Sequence, residues 1–217
     1  MSREIPKGRF FAASVLVWIL GGTGTASAEF RPQGGQGSLP QTAGQPTAAT
    51  RNGATSQEND EVERLRRAAE SGDHNAQFQL GVRYATGKGV AHDDAQAAHW
   101  IRKAADQGNL DAQFNLGLMY ADGNGVPQDD AQAVVWLRKA ADRGDSRAQS
   151  NLGLMYANGT GVAQDGAQAA QWYRKAADQG EVSAQFSLGL MFANGGSLPR
   201  DSTQAAFWFR KAAEQGH

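Results

Sequence analysis

The side chains best suited to chemistry in this 217-residue chain are its four histidines and 22 carboxylates. His92 and His99 bracket Asp93 and Asp94. Three or four such groups converging on one point would hold a metal ion. His92 falls in a loop, however, and His99 on the outer face of a helix, where the matching positions further along carry Val135, Gln171 and Phe207. The reading is two solvated histidines, with no metal and no cofactor. The carboxylates have structural uses. Asp93, Asp129, Asp165 and Asp201 stand three residues before Gln96, Gln132, Gln168 and Gln204, the spacing of a helix capping box with Asp as the cap. Asp106, Asp142, Asp178 and Glu214 stand four after Arg102, Arg138, Arg174 and Arg210, the spacing of exposed helical ion pairs. An acid–base pair needs one site rather than four copies. No Ser-His-Asp order, nucleophile context or phosphate loop is present. No catalysis is expected.

The elements that carry these residues are repeats. Trp100, Trp136, Trp172 and Trp208 are each 36 apart, as are Leu80-Gly81, Leu116-Gly117, Leu152-Gly153 and Leu188-Gly189. A period of this length means stacked helical units rather than one central core. In the unit around Ala112–Gly144, Ala112, Leu116, Met119 and Tyr120 make one apolar helical stripe. Ala133, Trp136, Leu137, Ala140 and Ala141 make a second. Gly117 sits inside the first helix at a cost of roughly 1 kcal/mol against alanine, and its recurrence predicts a close helix crossing. Gly123-Asn124-Gly125 ends that helix, and Gly144 ends the second.

The pattern A-Q-x-x-L-G-x-M-Y, then G-x-G-V, D-x-x-x-A and W-x-R-K-A-A, resembles the Sel-one-like repeat family, a relative of the tetratricopeptide repeats. The resemblance implies an all-α, right-handed α-solenoid. It also implies an adaptor or scaffold role, in many bacterial members exported and active in envelope signalling or host contact. The units run 73–108, 109–144, 145–180 and 181–217. Residues 58–72 precede them as a capping helix, with Arg64 in place of the repeated Trp.

Residues 1–28 read as a secretory signal: Arg3, Lys7 and Arg9 first, then the apolar run Phe10–Leu20, then Ala26-Ser27-Ala28 as a small-residue cleavage site. The run is too short to span a bilayer, so the mature chain is expected to start at Glu29, in the periplasm or secreted. Residues 29–57, rich in Gly, Gln, Thr and Pro, read as a disordered linker. There is no cysteine and the net charge is −1, which argues against a disulfide framework and a nucleic-acid partner.

What remains for function is surface. Phe78, Phe114, Ser150 and Phe186 share one repeat position, and Val82, Leu118, Leu154 and Leu190 the position four later. This stripe either lines an apolar trough for a peptide or packs between neighbouring first helices. A second candidate is the C-terminal end. There Phe207 stands beside Trp208 and Phe209, and Ser197 replaces Gly89, Gly125 and Gly161 in the loop, so the last unit is expected to be the weakest. The expected partners are one or more proteins, with self-association through that end as a further possibility. The alternative is a cell-wall-directed enzyme or glycan binder that uses the groove aromatics.

Overall fold

The computed structural model describes residues 60–216. The segments read from sequence as a signal (1–28) and a linker (29–57) lie outside the described residues. Nine helices and no strand are found among the described residues. Helix α1 covers residues 60–70. Then come α2 (His74–Thr86), α3 (Asp94–Asp106), α4 (Leu110–Asp122), α5 (Asp130–Asp142), α6 (Ser146–Asn158), α7 (Gly166–Asp178), α8 (Val182–Asn194) and α9 (Ser202–Ala213). From α2 onward each helix packs on its neighbours in sequence, and α6 also touches α8. The result is an α-solenoid of four helical hairpins.

Local chemistry sets the helix ends. Asp93, Asp129, Asp165 and Asp201 accept from first-turn backbone N–H groups, as the spacing predicts. The reciprocal half of the capping box is absent. The N–H of each capping aspartate donates instead to a carbonyl near the end of the preceding helix, at Tyr84, Tyr120, Tyr156 and Phe192. That bond pins the two helices of a unit together and leaves the glutamine free. The first helices are capped as well, by Asp73, Asn109 and Asp145. Glu181 fills this position in the last unit without a capping bond, its carboxylate accepting from Ser183 Oγ at 3.1 Å instead.

Leu80, Leu116, Leu152 and Leu188 are buried between the helices of each unit. Burying a leucine stabilises by about 1.5–3 kcal/mol. The crossing predicted at Gly117 is present. A Cβ there would lie 2.7 Å from Leu137 Cγ and 3.2 Å from the Leu137 backbone nitrogen. Gly81, Gly153 and Gly189 meet Ile101, Tyr173 and Phe209 in the same way. Helix α1 occupies the place of a preceding unit's second helix: Val62 and Ala69 are buried, and Gln77 donates to Ala69 O at 3.0 Å.

Candidate protein-binding surface

The first-helix stripe is not one continuous trough. Phe114 is 1 % exposed, and Leu118 and Ser150 are buried. Phe78, Val82 and Leu154 are half-buried against the core. Phe186 and Leu190 are exposed, at 39 % and 41 %. In the middle of the array the stripe packs between neighbouring first helices. Ser150 Oγ lies 2.9 Å from Ser183 Oγ of the following unit. Arg147 stacks 4.5 Å over the Phe114 ring and bonds Asp111 at 2.7 Å and Asp145 at 2.6 Å. Burial alone would pull the Arg147 pKa down, but hydrogen bonds to Asp145 and Asp111 more than offset it and hold the guanidinium charged. Phe114, Leu118 and Ser150 are therefore seam residues, closed to a ligand. The exposed part of the stripe is Leu190 and Phe186, the latter with its ring 5.5 Å from that of Phe209. At the end of the array Phe207 is 47 % exposed, packed edge-on to Trp208 with Lys211 Nζ 5.0 Å above its ring.

Two polar systems hold this surface in shape, and neither stands out in the sequence. The first uses the buried Gln of each A-Q pair. Gln77, Gln113, Gln149 and Gln185 donate to Ala69, Ala105, Ala141 and Ala177 carbonyls of the preceding helix at 3.0–3.2 Å. Each also accepts from its own unit's second-helix end, from Gln107, Arg143, Gln179 and Gln215. One side chain thus ties three helices. The signal was available: a polar residue repeated in phase within an apolar stripe. The second system corrects the expected ion pairs. Arg102 and Arg138 donate to the hydroxyls of Tyr120 and Tyr156 in the next unit, rather than to Asp106 and Asp142. Arg66 of α1 does the same to Tyr84 at 3.3 Å. Facing Phe192, which has no hydroxyl, Arg174 lies over the rings of Phe192 and Trp208 at 5.8 and 5.1 Å. The lysines that follow, Lys103, Lys139 and Lys175, lie over Trp100, Trp136 and Trp172 at 3.7–4.5 Å.

The chemistry-bearing residues are dispersed. His92 pairs with Asp94 at 3.2 Å on the surface, and His99 stands edge-on to Trp100. Among the described residues no three His, Asp or Glu side chains form a group that could hold a metal, and no helix is long and apolar enough to cross a membrane. Backbone N–H groups of Ala76 and Asn75 hold the Asp73 carboxyl below its ordinary pKa, the effect of a helix cap. Burial pushes the Tyr173 hydroxyl up to about 12, partly offset by a hydrogen bond with Ser187.

Residues 74–109, 110–145, 146–181 and 182–217 each match the Sel1 repeat. Solved structures agree. A protective antigen of uropathogenic Escherichia coli strains, displaying an SLR fold, is 48 % identical with a TM-score of 0.70; the match covers 72 % of this chain and 33 % of that one. A Sel1 repeat protein from Oxalobacter formigenes is 41 % identical with a TM-score of 0.67, covering 74 % of this chain and 47 % of that one. A Sel1 repeat protein from Klebsiella pneumoniae subsp. pneumoniae is 28 % identical with a TM-score of 0.50, over 72 % of this chain and 74 % of that one. The chain thus spans a third to a half of the length of the first two relatives. No curated protein matches it.

Proposed function

The chain belongs to the Sel1 repeat family, whose repeats generally mediate protein–protein interaction and are usually not enzymes, and from that premise we propose that it is an exported, non-catalytic scaffold or adaptor that holds a protein partner on its helical surface. The observation that carries this reading is the construction of the array. Every unit is tied to the next by the same buried glutamine, and three of the four junctions by the same arginine–tyrosine bond, so the array is a stiff, extended platform. The large apolar side chains exposed in the last unit are Phe186, Leu190 and Phe207. A stiff surface binds with little ordering cost, which favours recognition. Export rests on the tripartite segment before Glu29. The relative described as a protective antigen supports it, because an antigen that protects is one the host meets. Envelope signalling or host contact is the proposed setting.

The test is site-specific. A photocrosslinking amino acid at Leu190 or Phe207 in the full chain, expressed in its host, should give discrete protein adducts, whereas the buried Leu118 should give none. Absence of adducts at every exposed position would remove the scaffold reading. Sequencing the N-terminus of the envelope-fraction protein should give Glu29, and an intact Met1 on a membrane-bound species would overturn export.

A further inference from the structure

A cleft of about 490 Å³ opens between the third and fourth units, lined by Ala157, Gln164, Gly166, Tyr173, Ser187, Leu190, Met191 and Ser197. Four of these depart from the repeat. Gly166 stands where the other units have Asp94, Asp130 and Ser202. Tyr173 replaces Ile101, Leu137 and Phe209, Ser187 replaces Gln79, Asn115 and Asn151, and Ser197 replaces Gly89, Gly125 and Gly161.

Gly166 and Ser197 form a reciprocal exchange. At the two earlier junctions the loop glycine, Gly125 or Gly161, packs against the first turn of the preceding unit at Asp94 or Asp130, with no room for a Cβ. At the last junction the glycine has moved across. A Cβ on Gly166 would collide with the Ser197 side chain, which occupies the space an aspartate would otherwise fill. A carboxylate has been removed and a hydroxyl put in its place. The junction has also opened. Ala121 and Met155, which match Ala157 and Met191, are buried at 6 % and 0 %, whereas Ala157 and Met191 are half-buried.

The lining is uncharged and rich in hydrogen-bonding groups. Gln164 donates its Nε2 to Ala157 O at 2.8 Å, which leaves its carbonyl oxygen as an acceptor. The Ser187 and Ser197 hydroxyls can donate or accept. Leu190 and Met191 supply the apolar wall. A charged ligand would lose hydration here without a counter-charge. A sugar would need an aromatic face, and Tyr173 is 4 % exposed. What fits is a segment of polypeptide with uncharged side chains, its amide N–H on Gln164 Oε1, its carbonyl on the serine hydroxyls, and an apolar side chain on Leu190.

We propose that the cleft between the third and fourth units is the seat of an uncharged peptide segment of the protein partner. This deepens the scaffold reading and rests on it. The experiment pans a phage-displayed library of random linear peptides on the full chain and measures the selected peptides by fluorescence polarisation. Two variants test the cleft. Gly166→Asp/Ser197→Gly restores the arrangement of the earlier junctions, and Gln164→Ala removes an exposed acceptor without touching the core. Uncharged peptides whose affinity falls about tenfold on both folded variants support the proposal, a loss expected for one or two hydrogen bonds. Peptides that bind wild type and variants equally overturn the cleft while leaving the scaffold reading in place. Selected sequences dominated by charge overturn its chemistry. A library that yields no binder also overturns the cleft, and the scaffold reading then stands or falls on the crosslinking alone.

Discussion

The second and fourth units read almost alike, yet they live in different environments. Phe114 and Leu118 on α4 are buried, and their equivalents Phe186 and Leu190 on α8 are exposed. Leu137, which closes on Gly117, is fully buried, and Phe209, which closes on Gly189, is half-buried. Side-chain type does not separate Phe114 from Phe186 or Leu118 from Leu190, and neighbours do. The second unit has a packed unit on both sides. The fourth has one before it, and what lies after residue 216 is not described. In a linear array stability is a sum of unit and interface terms, so the same residue contributes different amounts at different stations.

The largest test of that difference is overpacking at the helix crossing. Gly117→Leu forces bulk onto Leu137, whose side chain is enclosed and whose backbone nitrogen would lie 3.2 Å from the new Cβ. The expected loss is about 3 kcal/mol, the upper end for an overpacked core. Gly189→Leu meets the ring of Phe209, which is only half-buried, and should cost about 1 kcal/mol. Urea denaturation of the two variants checks this. Equal losses would mean that the fourth unit is as enclosed as the second.

That crossing is legible in the sequence because a glycine that recurs inside a helix at a fixed period marks a place where a side chain would not fit. The period itself, the helix order, the second-helix caps and the capping role of α1 are legible for a related reason: they are local patterns repeated in phase. The stripe is not. Phe114 and Phe186 are the same letter at the same position, and Arg147, which covers Phe114, comes from the next unit. The arginine partners mislead because i to i+4 spacing along one helix is visible in a sequence, whereas a tyrosine 18 residues away on the next helix is not. The cleft between the third and fourth units falls in between. Ser197 stands out as an oddity of its loop, but its exchange with Gly166 needs the two to be placed side by side.

A second test compares Tyr173 with Leu137, its apolar equivalent one unit earlier. Folding raises the Tyr173 pKa from 10.0 to about 12, chiefly through burial, so the folded state favours the neutral phenol. A raised pKa on an acid contributes stability that is intact below pH 10 and lost as pH climbs toward 12. The loss is about 2–3 kcal/mol over that window. Tyr173→Phe removes the titrating group, as Leu137 lacks one, and should flatten the alkaline limb of the stability curve relative to wild type. Superimposable wild-type and Tyr173→Phe curves between pH 10 and 12 would show that the third–fourth junction does not bury this group.

The smallest effect comes from repairing the one junction that lacks its tyrosine. Three of the four junctions join an arginine to a tyrosine hydroxyl, at Arg66–Tyr84, Arg102–Tyr120 and Arg138–Tyr156. The last offers Arg174 only the faces of Phe192 and Trp208. Phe192 is half-buried on the same helix position as the three tyrosines, so an added hydroxyl would point toward the guanidinium without new bulk in the core. A hydrogen bond to a charged donor contributes about 1.5–3 kcal/mol net, and solvent screening at the exposed Arg174 lowers this to about 1 kcal/mol. The gain is reduced by whatever cation–π attraction Arg174 gives up over Trp208, itself about 0.5–1 kcal/mol at a surface. Phe192→Tyr should therefore raise stability by roughly 0.5 kcal/mol. The reverse change in the middle of the array is not its mirror image. Tyr156→Phe leaves a half-buried Arg138 without its acceptor and should cost more, about 1–2 kcal/mol. If the two substitutions instead gave equal and opposite changes in thermal denaturation, the hydrogen bond would contribute the same at both stations, and the claim that neighbours set the value of a residue in this array would fail at the place where it is easiest to measure.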